Sequence, residues 1–250
     1  MGVLAALAPP AAAETSGLDL ALYGALLQGY TKETNATAGT VVDYQGLGGD
    51  PRWQELIAGL ESARPSTLGD ADERMAFWIN AYNILAIRMV IENAPLASIR
   101  DAGSFIWPVW RREIARIEGS RVTLDQIEHK ILRKMGDPRI HAAIVCASTS
   151  CPSLAREPYR SEVLTKQLDA AMRGFLADPR KGLRVERGDH IVWLSKIFRW
   201  FAADFESDGG VLAFVIRYAP AGEGTWIAEQ HDLVEVEYLD YDWRLNEWRR

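Results

Sequence analysis

Cysteine is nearly absent: Cys146 and Cys151 are the only two in a chain of 250 residues. That excludes a scaffold stapled by several disulfides. It also argues against a metal centre, because no second Cys or His pair stands at zinc-ligand spacing. Histidine is scarce too, with four residues. Basic residues are outnumbered, 28 against 34 acidic, for a net charge of −6, and no basic block occurs. Nucleic acid and an anionic membrane surface are therefore not expected partners. No stretch reaches the about 18 uninterrupted apolar residues of a membrane-spanning helix, so no integral membrane segment is expected. Gly46, Gly48 and Gly49 lack the spacing and the Lys-Ser/Thr of a phosphate loop. The G-x-S-x-G elbow of serine hydrolases is missing as well. No cofactor is implied.

What remains is an ordinary globular composition, 48% hydrophobic and 25% charged, enough to bury a sizeable core. The nine tryptophans, among them Trp193, Trp200, Trp226, Trp243 and Trp248, read as large core anchors rather than a sugar-stacking surface. Residues 1–17, "MGVLAALAPPAAAETSG", carry no charge before Glu14 and end in the small residues Ala11, Ala12 and Ala13. They resemble the end of a secretory signal, short and without a positive start; a disordered Ala/Pro tail is the alternative. Residues 18–250 are expected to form a single domain. Export places the protein in the periplasm or outside the cell, where a disulfide persists; a cytoplasmic location is the alternative.

Local signals place the elements. Residues 18–30 and 51–62 read as helices, the second opened by Pro51 in its first turn. "TVVDYQGL" (40–47) reads as a strand ended by Gly48 and Gly49. Residues 70–95 form the clearest helix, with Asp70 and Glu73 as a capping box and Pro95 as the stop. Its middle is apolar all round, as in a buried helix, and Asn80 and Asn83 share one of its faces. Residues 121–138 read as another helix, with Thr123 and Gln126 as a capping box. Glu128 falls inside its apolar stripe and His129 outside. "RIHAAIVC" (139–146) reads as a buried strand, and Pro152 as the first turn of a helix after Cys151. Residues 160–177 look helical, 190–195 and 233–239 look like strands, and Ser195 caps a helix over 196–205 whose apolar stripe holds Asp204. Helices outnumber strands without regular alternation. The expected class is α+β, helix-rich, with a small, mostly antiparallel sheet.

Six segments occur in an order that resembles a known family: "VDYQGL" (42–47), "MAFWINAYNILAI" (75–87), "LDQIEHKILR" (124–133), "RIHAAIVCASTSCPSL" (139–154), "KIFRWFAADF" (196–205) and "YLDYDWRLN" (238–246). Together they resemble the bacterial branch of domain-of-unknown-function family 547, over nearly the whole chain after residue 18. The resemblance supplies no reaction.

The chemistry must come from the residues. Cys151, just before Pro152, is placed where a helix N-terminus stabilises a thiolate, whereas Cys146 ends an apolar segment and packs there. A papain-like logic then makes Cys151 the nucleophile, with a histidine and an orienting polar group brought from elsewhere. His141 is the candidate base, although a regular strand puts it about 17 Å from Cys146 and on the opposite face. Glu128 is a candidate catalytic carboxyl, and Asn80, Asn83 and Asp204 are candidate binding or orienting groups, all being polar on otherwise apolar faces. Four readings of the cysteines stay open: nucleophile, structural Cys146–Cys151 disulfide, inert buried thiols, or metal ligands. Two functions follow. One is a thiol hydrolase or acyl-transfer enzyme acting on a peptide or amide. The other is a non-enzymatic binding or scaffold module, with a peptide or small molecule as ligand and a structural disulfide.

Overall fold

The computed structural model describes residues 17–103 and 109–248. The N-terminal leader therefore lies outside the described residues, except for Gly17.

Helices begin where a side chain can accept one of the N–H groups that the first turn leaves unpaired. Asp19 caps α1 (Leu20–Tyr30) through the N–H of Leu22. Asp50 caps α3 (Pro51–Ser62), which has Pro51 at its first position. Asp70 caps α4 (Ala71–Asn93), accepting from the Glu73 N–H at 2.7 Å. The Glu73 carboxylate reaches Gly69 N at 2.7 Å, so the expected capping box is displaced by one residue. "TVVDYQGL" divides: β2 covers only Thr40–Val42, and Asp43 then caps a short helix, α2 (Tyr44–Gly49), through Gly46 N. The acceptor on Asp43 starts a helix where the Val and Tyr content suggested a continuing strand.

The sheets are small. β1 (Thr31–Glu33) pairs antiparallel with β2. β3 (Ala115–Ile117) pairs antiparallel with β4 (Ser120–Val122). The third sheet has the order β5 (Leu183–Glu186), β6 (Ile191–Leu194), β7 (Glu235–Tyr238), antiparallel then parallel. With the helices, this is a helix-rich α+β fold.

Two apolar cores result. α1 to α4, the β3–β4 hairpin and much of residues 140–168 fill the first, with α4 buried almost all round. The second is built by the sheet, α6 (Leu164–Leu176), α7 (Lys196–Trp200), α8 (Val211–Tyr218) and α9 (Ala221–Glu229). The segment 140–143 lies at their seam: Ile140 and Ala143 pack into the first core, Ala142 into the second.

That segment corrects a sequence expectation. Residues 139–146 form no strand, although 140–145 are buried. Asp137 caps a 3₁₀ turn, Pro138–Ala142, and the chain then runs irregularly to the cysteines. Its polar backbone is satisfied by Asn83 instead of a neighbouring strand. Nor does a helix start at Pro152; the next helical turn is Ser161–Val163, ahead of α6. The helix-terminus argument for activating Cys151 therefore falls. The helix expected over 121–138 begins with its Thr123–Gln126 capping box as read. Beyond α5 (Leu124–Gln126) it widens to a π-turn over Ile127–Leu132 and tightens to 3₁₀ over Arg133–Met135. Gly136, at φ 80°, stops it in a left-handed conformation that glycine adopts freely. α7 likewise breaks at Phe201, and Asp204 sits in the following 3₁₀ turn, Ala202–Asp208.

After β7 the chain crosses back over both cores. Thr149 N donates to Arg244 O, Asn246 N to Ala147 O, Leu245 N to Ala97 O and Val42 N to Asn246 O, at 2.8–3.0 Å. This strap clamps the cysteine loop and carries Tyr241 and Trp243 to it.

Candidate functional site

A cleft of about 350 Å³ opens between the π-turn, the cysteine loop, α7 and the strap. Its lining includes Cys146, Cys151, Glu128, His129, His141 and Asp125, and the rings of Tyr82, Trp110, Trp200, Phe201, Tyr241 and Trp243.

The strap and the irregular 143–151 segment set the sulfur geometry. Cys146 and Cys151 form a disulfide, with Cα atoms 6.4 Å apart. Their environments differ. Cys151 Sγ has three groups aimed at it: the Cys146 backbone N–H at 3.1 Å, the Ser148 hydroxyl at 3.2 Å and the Tyr241 hydroxyl at 3.2 Å. Cys146 Sγ has longer contacts, to Ser148 Oγ at 3.3 Å and Tyr241 Oη at 3.6 Å. Ala147, between the two cysteines, holds φ 61°, an uncommon conformation for a residue with a side chain.

The π-turn presents Glu128 to the same cleft. Burial raises its carboxyl to about 7, and the hydrogen bond from Tyr82 Oη (3.3 Å) and the charge of Arg133 only partly oppose this. Tyr82 and Tyr241 are pushed above the ordinary phenol range by burial first, with the Glu128 charge adding to it. Both remain protonated donors at neutral pH.

The other wall is a His–Asp–Arg array. His141 Nε2 lies 2.7 Å from Asp204 Oδ2, and its ring stacks on Phe201 with centroids 4.2 Å apart. Arg133 clamps Asp204 bidentately, both distances 2.6 Å. Burial works against the Asp204 charge, but the bonds from His141 and Arg133 outweigh it and hold the carboxyl well below the usual range. Burial lowers His141, with Asp204 opposing, and lowers His129. Arg133 Nη1 is 2.9 Å from His129 Nδ1. A guanidinium only donates, so His129 Nδ1 accepts and that ring carries its proton on Nε2.

The candidates read from the sequence therefore separate. Cys151, His141 and Glu128 line one cleft, and Asp204 stands behind His141. Among the described residues, no histidine hydrogen-bonds to Cys151. Asn80 and Asn83 are buried away from the cleft, with both ends of each amide bonded to backbone. Asn80 bonds Tyr159 N and O (2.9 and 2.8 Å). Asn83 bonds Val145 N and Ala143 O (2.8 and 2.9 Å). Asn83 thereby positions the segment entering the cysteine loop.

Sequence reasoning missed Tyr82, Ser148, Arg133 and the aromatic wall. Trp53 is a core anchor, 1% exposed, but Trp200 is 47% exposed, and with Trp110 and Trp243 it faces the cleft. The signal for Tyr241 and Trp243 was their place in "YLDYDWRLN", whose spatial neighbour the sequence does not name. Among the described residues, no three His, Cys, Asp or Glu side chains are grouped to hold a metal ion, and no helix is long and apolar enough to cross a membrane.

A half-enclosed, mostly aromatic cleft with a few convergent polar groups is the form of a small-ligand site, here on a helix-rich α+β scaffold. Residues 65–176 match the model of the family described as "Protein of unknown function, DUF547". That stretch contains Tyr82, Glu128, His141, Cys146 and Cys151; Trp200, Phe201, Asp204, Tyr241 and Trp243 lie beyond it. No curated protein and no solved structure matches the chain.

Proposed function

We propose that the cleft is the site of a thiol-dependent hydrolase or acyl-transfer enzyme acting on a peptide or amide, with Cys151 as nucleophile once its bond to Cys146 is reduced. The observation that carries this reading is the set of three groups able to donate to Cys151 Sγ, the Ser148 hydroxyl lying also 3.3 Å from Tyr241 Oη and turning its one proton to either. A neutral or bridged sulfur is a weak acceptor and makes little use of them. A thiolate is stabilised by each.

In this reading a dithiol opens the bridge, supplying two electrons and two protons and leaving as its own disulfide. The Cys151 thiolate attacks the substrate carbonyl carbon, forming a C–S bond and a tetrahedral anion. Collapse breaks the C–N bond. The amine leaves with a proton from Glu128, which near pH 7 exists in both forms. Water, losing its proton to the Glu128 carboxylate or to His141 held by Asp204, hydrolyses the thioester; an acceptor amine in its place completes acyl transfer. An exported chain in an oxidising compartment rests in the bridged form.

A second reading, a non-enzymatic binding module with a structural disulfide, is favoured by the bridge itself and by the absence of a histidine contact to Cys151 among the described residues. The two separate in an assay of a panel of peptide p-nitroanilides. Under the enzyme reading, Cys146→Ser cleaves without added reductant, wild type needs a dithiol, and Cys151→Ser is inert. If both cysteine variants and wild type are equally inactive in reducing buffer, the binding-module reading stands.

A further inference from the structure

The cleft combines two features that the acyl-transfer chemistry does not require. Six rings line it, those of Tyr82, Trp110, Trp200, Phe201, Tyr241 and Trp243, and its charged lining is acidic, Asp125 and Glu128. The cations beside Glu128 are engaged or disfavoured. Arg133 is held by both oxygens of Asp204, and burial disfavours a charge on His129 and His141. Asp125 has two loose contacts at 3.8 Å, one to the exposed Arg111 and one to His129 Nε2, and neither is a close ion pair. Glu128 has no hydrogen-bonding cation among the described residues; its bond comes from the neutral Tyr82 hydroxyl.

We propose that this cleft recognises a cationic group, an alkylammonium such as a lysine-like side chain or free amine of the substrate, seated against the Trp200 ring and paired with Glu128. The proposal rests on the reading of the cleft as the substrate site and adds the substrate's class. Aromatic faces attract a cation through their quadrupole, most strongly when water is excluded. Trp243 has the Arg100 guanidinium over its ring at 5.2 Å and stacks on Trp200 with centroids 5.8 Å apart, so the ring left open to a ligand is the exposed Trp200. A cavity of about 350 Å³ suits a group of that size rather than a folded partner.

The same geometry sets a pH dependence. The groups facing Glu128 are Tyr82 on α4, Asp125 on α5, His129 on its own turn, Arg133 just after it, Asp204 after α7 and Tyr241 on the strap. Burial outweighs the Tyr82 hydrogen bond and the charge of Arg133, which is itself clamped on Asp204, so the carboxyl keeps its proton to about pH 7. An entering ammonium displaces that proton, so affinity rises with pH through this range and levels above it.

The test uses the disulfide-bonded chain and needs no turnover. n-Butylammonium, 1-butanol and butyrate are titrated by calorimetry and tryptophan fluorescence at pH 6 and pH 8. The expected result is n-butylammonium binding at pH 8 at least tenfold tighter than either other probe, and several-fold weaker at pH 6. Glu128→Gln and, separately, Asp125→Asn each lower the affinity, Glu128→Gln about tenfold and with loss of the pH dependence. Butanol or butyrate binding as well as the ammonium overturns the proposal, as does Glu128→Gln binding it unchanged. If the ammonium fails to bind while Cys151-dependent cleavage of neutral amides is observed, this inference falls alone. If it binds as expected and no cleavage occurs, the enzyme reading falls alone.

Discussion

Tyr241 and Cys151 lie 90 positions apart in the chain, yet the tyrosine hydroxyl is 3.2 Å from the cysteine sulfur. The contact exists because the strap after β7 pairs with the cysteine loop through Thr149, Ser150 and Ala147. In the proposed reading, one of the three donors to a reduced Cys151 thiolate is this hydroxyl. Tyr241→Phe removes that donor and keeps the ring. A hydrogen bond to a charged group contributes about 1.5–3 kcal/mol, so the Cys151 thiol shifts up by roughly one unit or more. The expected outcome is alkylation of Cys151 at pH 7 slowed about tenfold, followed by mass spectrometry of its peptide. An unchanged rate shows that the hydroxyl does not act on the sulfur.

Asn83 is the hinge between α4 and the segment leading to Cys146. Asn83→Ala leaves the buried Val145 N–H and Ala143 carbonyl without their partners. Each such orphan costs about 1–3 kcal/mol, so urea unfolding is expected to show a loss of about 2–6 kcal/mol. A loss below about 1 kcal/mol means that water replaces the amide and Asn83 does not position the loop.

Asp204 gives a pH signature of one sign. Its folded-state carboxyl is held below its unfolded value by His141 and Arg133. It therefore adds stability that is present above about pH 4, the ordinary aspartate range, and is lost as pH falls through the depressed folded value. Asp204→Asn is expected to be less stable than wild type at pH 6–7, with the two denaturation curves converging below pH 4. A gap that stays constant down to pH 2 excludes the linkage.

Glu128 gives the opposite sign. Its folded value is raised to about 7, so its contribution is full below about pH 4.5 and falls as pH rises to 7. Glu128→Gln removes the buried charge and is expected to unfold at a higher temperature than wild type above pH 7, with little difference at pH 4. Equal melting temperatures at both pH values mean that the carboxyl is not desolvated.

The features legible in the sequence were those specified within one or two turns. Asp70, Pro51 and the Thr123–Gln126 box announce helix starts through bonds to their own neighbours, and the structure has them there. Glu128 stood out because a carboxyl on an apolar stripe needs a local reason, and it lies in the cleft with its carboxyl raised. Residues 139–146 misled because burial produces the same apolar run whether the partner is a strand or an asparagine side chain. Pro152 misled because a proline suits extended chain as well as a first helical turn. The donors on Cys151, and the turning of Trp110, Trp200 and Trp243 toward a cleft, arise from tertiary approach, which one-dimensional spacing does not encode.

The central claim concerns the charge state of one sulfur. It is tested most directly by measuring the thiol pKa of Cys151 in the Cys146→Ser protein, from the pH dependence of its alkylation rate. The expected value lies well below the about 8.5 of a free cysteine, leaving a thiolate at neutral pH. A value at or above about 8.5 shows that Ser148, Tyr241 and the residue-146 N–H do not stabilise the anion, and contradicts a nucleophilic Cys151.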